Sequence, residues 1–159
     1  MTIKEAKSLI SRWLKDKDYK RIHIPGGAPY NYIHNMEEFN VLVSYFKDRF
    51  DNDLIFHVGC HFDDCEYGDA TIRVINLPSN KHKIKKDFSL GLYFEELTEE
   101  DFLRCLDEMF EKYLKPYYDK GKNYLKEIIL NPSQFNDCYQ IEKDARNRIN
   151  QMFGLHTKP

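Results

Sequence analysis

The segment HVGCHFDDCEYGD, residues 57–69, brings His57, Cys60, His61, Asp63, Asp64, Cys65, Glu66 and Asp69 together within 13 residues. It holds every common metal-ligand type and several candidates for general acid–base work. Spacing restricts what this set can do. If residues 54–62 form a strand, His57 and His61 share one face but stand about 13 Å apart at about 3.3 Å per residue. A single zinc ion, bonded at about 2.0–2.3 Å, cannot take both. The run also lacks paired CxxC and HExxH spacing, so neither a metal nor another cofactor is expected.

Two further uses of the segment remain open. His57 and His61 flank Gly59, and with Arg73 in a following strand and Asp63 nearby they have the groups needed for acid–base chemistry on a phosphate or acyl substrate. That set would suit a small hydrolase or nucleotide-processing enzyme, although ordinary solvent-facing strands carry the same residues. Alternatively Asp63, Asp64, Glu66 and Asp69 form a solvated acidic loop able to pair with a basic protein surface, while Tyr30 and Tyr32 in a loop over 25–34 supply aromatic anchors. No GxSxG elbow or recognisable serine triad is present. The leading expectation is therefore a non-enzymatic cytoplasmic protein-binding module of inhibitor, immunity or adaptor type.

Two weaker signals point elsewhere. Gly26-Gly27 after a strand lacks the residues of a GxGxxG or GxxxxGK phosphate loop and reads as a turn. The lysines of KHKIKK, residues 81–86, are the single local basic run, and no aromatic residues interleave with them, so nucleic acid is not the expected partner.

The elements that must position these residues follow from periodicity. Ile3, Ala6, Ile10, Trp13 and Leu14 recur at helical spacing behind Thr2, predicting a helix over 3–16. YKRIHI, 19–24, alternates as a short strand that Pro25 ends. Asn35 and Glu38 have the spacing of a capping box, and Met36, Phe39, Leu42, Val43, Phe46 and Phe50 predict a helix reaching about residue 51. Strands are expected over 54–62, 70–77 and 87–95. Thr98 and Asp101 open a helix whose stripe runs from Phe102 to Tyr117, with Pro116 kinking it or starting a new one. Helical spacing continues to Leu130, and Asn131-Pro132 opens a last helix with Phe135, Cys138, Tyr139, Ala145, Ile149, Met152 and Phe153 on its inner face, ending at Gly154.

With strands clustered and helices following, the pattern predicts a single α+β domain over 1–159: a mostly antiparallel sheet of about four strands packed against helices, two or three of them C-terminal. A chain of 159 residues with 42% hydrophobic content has enough core to fold without a metal or disulfide. Lys and Arg number 24 against 26 Asp and Glu, so no basic field is present to gather nucleic acid or an anionic membrane. Charges interrupt every apolar stretch of the N-terminus, which predicts a cytoplasmic chain with reduced cysteines.

Overall fold

The computed structural model describes residues 1–25, 29–47, 54–63, 71–74, 91–92, 94–95, 97–131, 139–141 and 143–155. Helix α1 (Ile3–Asp16) starts at a complete capping box: the Thr2 hydroxyl accepts from the Glu5 N–H, and the Glu5 carboxylate accepts from the Thr2 N–H. Its end turns sharply at Asp18, whose φ of 63° lies in the left-handed region that Asp tolerates better than most residues.

Strands β1 (Lys20–Ile22), β2 (Tyr30–Asn35), β3 (Asn40–Lys47) and β4 (Leu54–His61) form an antiparallel meander. Beyond β4 the sheet continues through β5 (Thr71–Val74) to β7 (Tyr139–Ile141), while β6 (Gly91–Leu92) pairs with the start of β4. The fold is α+β, an antiparallel sheet packed against helices.

Residues 30–47 differ from the sequence expectation. Residues 30–35 are strand rather than loop, and residues 35–47 are the end of β2, a turn and β3 rather than a helix. Asn35 therefore closes a hairpin instead of capping a helix, and the Met36 N–H bonds to the Phe39 carbonyl at 2.9 Å. The helical spacing was coincidental because β3 is buried on both faces from Asn40 to Tyr45. A strand covered on both sides shows a continuous apolar run with no period of two, and its β-branched and aromatic content, VLVSYF, was the surviving strand signal.

The helices follow. Thr98 caps α2 (Glu99–Met109) by accepting from the Asp101 N–H. A π-helical turn over Phe110–Leu114 then precedes α3 (Lys115–Lys120), which has Pro116 in its first turn. A proline clashes with the carbonyl four residues earlier, here Lys112, and the wider π turn sits where that clash would fall. Gly121, at φ 56°, separates α3 from α4 (Lys122–Leu130). The last helix, α5, spans Lys143–Phe153. It begins later than predicted because Tyr139 belongs to β7, and Phe135 and Cys138 lie outside the described residues. The helices bury one face of the sheet in a single core that includes Ile10, Tyr45, Phe56, Leu106, Tyr117 and Ile149. The Trp13 indole N–H donates to Asp107 Oδ1 at 2.9 Å and so ties α1 to α2. Cys60 and Cys105 are both buried.

Candidate functional site

Register assigns the residues of the central strands to faces. Val41, Val43 and Tyr45 on β3 stand opposite Cys60, Val58 and Phe56 on β4, and these six belong to the helix-covered core. The interleaved positions form three cross-strand rows on the other face. Asn31, Ser44 and His57 are successive partners in one row, Ile33, Leu42, Gly59 and Arg73 in the next, and Asn35, Asn40, His61 and Thr71 in the third.

His57 and His61 thus share a face as the alternation predicted, and the backbone of Arg73 pairs with Gly59 between them. This face is covered rather than solvent-facing. His61 is 7% exposed, and Asn31, Asn40, Leu42 and Ser44 are buried beside it. His57 is half-buried, with its ring edge-on to Phe46 at 5.5 Å. Burial holds the His61 imidazole below its usual range, and the nearby Asp63 carboxylate opposes that shift. Among the described residues its Nδ1 has no hydrogen-bond partner.

The polar residues of this face act in pairs. Ser44 donates to Asn31 Oδ1 at 2.7 Å, and Asn40 Nδ2 donates to Asp63 Oδ1 at 2.6 Å. The second bond holds an exposed carboxylate against the buried end of β3. Around it lies a cleft of about 210 Å³ whose lining includes Glu37, Glu38, Phe39, Phe62, Asp63 and Arg148. The β2–β3 turn supplies the two glutamates, the end of β4 supplies Asp63, and α5 supplies Arg148. The Arg148 guanidinium lies 6.0 Å from the centre of the Phe62 ring, and Lys122 of α4 pairs with Glu38 at 3.2 Å.

Asp63 thus keeps an exposed position in an acidic cluster. The other loop carboxylates, Asp64, Glu66 and Asp69, lie outside the described residues, as do Gly26-Gly27, Cys65 and the lysines of 81–86. Glu37 and Glu38 were missed because the segment holding them was read as helix; two acidic residues between strand-forming runs were the signal for an exposed hairpin turn. Among the described residues no group of three His, Cys, Asp or Glu side chains is arranged to hold a metal ion.

The aromatic anchors separate. Tyr32 is 8% exposed and stacks over Tyr45 at 6.3 Å, so it belongs to the core rather than to a contact surface. Tyr30 is half-buried at the rim of the same stack. Both lie on a strand, where alternation and pairing place them, and not on the loop expected. Among the described residues no helix is long and apolar enough to cross a membrane. Compared with protein-family models, curated proteins and solved structures, the chain finds no match.

Proposed function

We propose that the chain is a non-enzymatic protein-binding module, of inhibitor, immunity or adaptor type, which presents the acidic end of its sheet to a basic surface on a partner protein. The carrying observation is the Asn40–Asp63 hydrogen bond. It fixes one carboxylate beside a cleft that Glu37 and Glu38 also line, so part of the acidic surface is ordered before any partner arrives. Preorganised groups lose less conformational freedom on binding, and complementary charge mainly accelerates the encounter. Glu37, Glu38 and Asp63 are all exposed, as such an encounter requires.

The test uses the chain as bait beside a Glu37→Gln/Glu38→Gln/Asp63→Asn variant and a Glu100→Gln control. The expected result is a protein captured by wild type and by the control but not by the triple variant, with an association rate that falls steeply as salt rises. Identical capture by all three baits would overturn the reading.

A second reading, hydrolysis or nucleotide processing by His57, His61, Asp63 and Arg73, is supported by the register that sets Arg73 opposite Gly59 between the histidines. It requires that Asp63→Asn abolish turnover of a phosphoester or acyl substrate while Glu37→Gln leaves turnover intact. A screen in which wild type turns over no such substrate would remove it.

A further inference from the structure

The rim tyrosine of the aromatic stack has a second set of neighbours, at a corner formed by α1, β1 and β2. Tyr30 stacks on Tyr45 with ring centres 4.8 Å apart and planes 6° from parallel. Two cations lie over the same Tyr30 ring. Lys7 Nζ, from α1, is 4.9 Å from its centre, and the Arg21 guanidinium carbon, from β1, is 5.0 Å from it. The two charges are therefore no more than about 10 Å apart.

Neither cation has an ion-pair partner among the described residues, whereas Arg12, Arg104, Lys115, Lys120 and Lys122 each have a carboxylate. Separations of this order exceed the screening length of about 8 Å at physiological ionic strength only slightly, so the two charges still repel one another. An anion placed between them would relieve that repulsion.

Hydrogen-bond roles make the corner more specific. Lys7 Nζ lies 3.2 Å from the Tyr30 hydroxyl oxygen. An ammonium only donates, so the hydroxyl accepts from Lys7 and its own proton is directed elsewhere. Three kinds of donor are then available: the remaining ammonium N–H groups, the phenolic O–H and the planar fork of Arg21, whose bond to the Pro29 carbonyl is a long one of 3.5 Å. Such a set suits an anion with several acceptor oxygens and more than one negative charge.

We propose that Lys7, Arg21 and Tyr30 form a binding site for a phosphate group, either inorganic phosphate or a phosphate monoester on a larger ligand. The site lies apart from the acidic cleft and does not depend on the docking reading. Lys7 supplies a compact charge, Arg21 a two-pronged grip on two oxygens, and Tyr30 a donor that Tyr45 holds in place by stacking.

The experiment is calorimetric titration with inorganic phosphate, with a phosphoserine peptide, with the same peptide unphosphorylated, and with acetate as a single-charge control. Saturable binding of a phosphate-bearing probe is expected, weakened about tenfold or more by Arg21→Met or Lys7→Met and several-fold by Tyr30→Phe. Lys115→Met, at a paired lysine of α3, should leave it unchanged. A phosphopeptide that binds far more tightly than inorganic phosphate identifies a modified protein as the source, and equal affinity identifies the free ion or a small ester. The proposal is overturned if neither phosphate probe saturates, if acetate binds as well, or if Arg21→Met binds like wild type. Far-UV circular dichroism confirms that each variant is folded.

Discussion

On the helix-covered side of the sheet, Val41, Val43, Tyr45, Phe56 and Val58 are buried without an amide or charged group among them. The residues interleaved with them on the other side, Asn40, Leu42, Ser44 and His61, are just as buried and are polar at three positions of four. The first face is held by non-directional transfer of apolar surface from water, and it accepts any close-packed arrangement of suitable volume. The second face needs particular partners, because a buried polar group left unpaired loses its hydration without replacement. A one-residue slip of β3 would carry Asn40 and Ser44 into the core, so the polar face penalises every shift of that strand by an odd number of residues. One of its bonds, from Asn40 to Asp63, also extends that order out to the acidic surface.

The sharpest way to separate the faces is to delete equal positions from each. Phe56 is 1% exposed, and Phe56→Ala should cost about 3–5 kcal/mol in a denaturant titration, the range for a large buried aromatic. Ser44→Ala removes the donor to Asn31 Oδ1 and should cost about 1–2 kcal/mol. A loss for Ser44→Ala as large as that for Phe56→Ala would show that the polar face carries the fold. No loss would show that it only tunes register.

His61 distinguishes the faces by pH. Its folded pKa is lowered, so an unfolded chain takes up a proton near the ordinary value of 6.5 while the folded chain does not. The unfolded state therefore binds more protons in that window, and stability should fall as pH drops from about 6.5 toward the lowered folded value. Thermal midpoints measured across that range should show the decline in wild type and a smaller one in His61→Gln. The smallest effect belongs to the acidic end, where Glu37→Gln/Glu38→Gln/Asp63→Asn should change stability by less than about 0.5 kcal/mol, since the groups are exposed and Asn can still accept from Asn40.

The parts of the fold legible in the sequence were those whose apolar positions keep a clear period. Helix α1 matches its predicted limits because a polar face alternates with Ala6, Ile10, Trp13 and Leu14 and Thr2 marks its start. Strand β4 was visible from the alternation of Leu54, Phe56, Val58 and Cys60 against Ile55, His57, Gly59 and His61. Strand β3 was not, because Leu42 and Ser44 are buried as well as Val41 and Val43, which erased the period of two and left spacings that mimic a helix. The same double burial hid the state of His61, which alternation assigned to the outer face without showing that this face is covered. Of the candidate site, Asp63 stood out within its acidic run, whereas Glu37 and Glu38 were lost with the hairpin that presents them. Lys7, Arg21 and Tyr30 lie on three elements, α1, β1 and β2, so no local pattern could have grouped them.

The π-helical turn at Phe110–Leu114 carries a consequence for insertions and deletions. Such a turn holds one more residue than an α-helix of the same rise, and each residue of an α-helix advances the chain by about 100°. Removing one residue, Lys112 for example, would let α2 run on as uninterrupted α-helix with the residues after it in nearly their present phase, whereas adding one would rotate everything after it by about that angle. Tyr117, fully buried against Phe39 and Tyr124, would swing out of the core on insertion but keep its place on deletion, where Pro116 would instead meet the carbonyl of an intact α turn. This helix should therefore tolerate a one-residue deletion at the exposed Lys112 better than a one-residue insertion there.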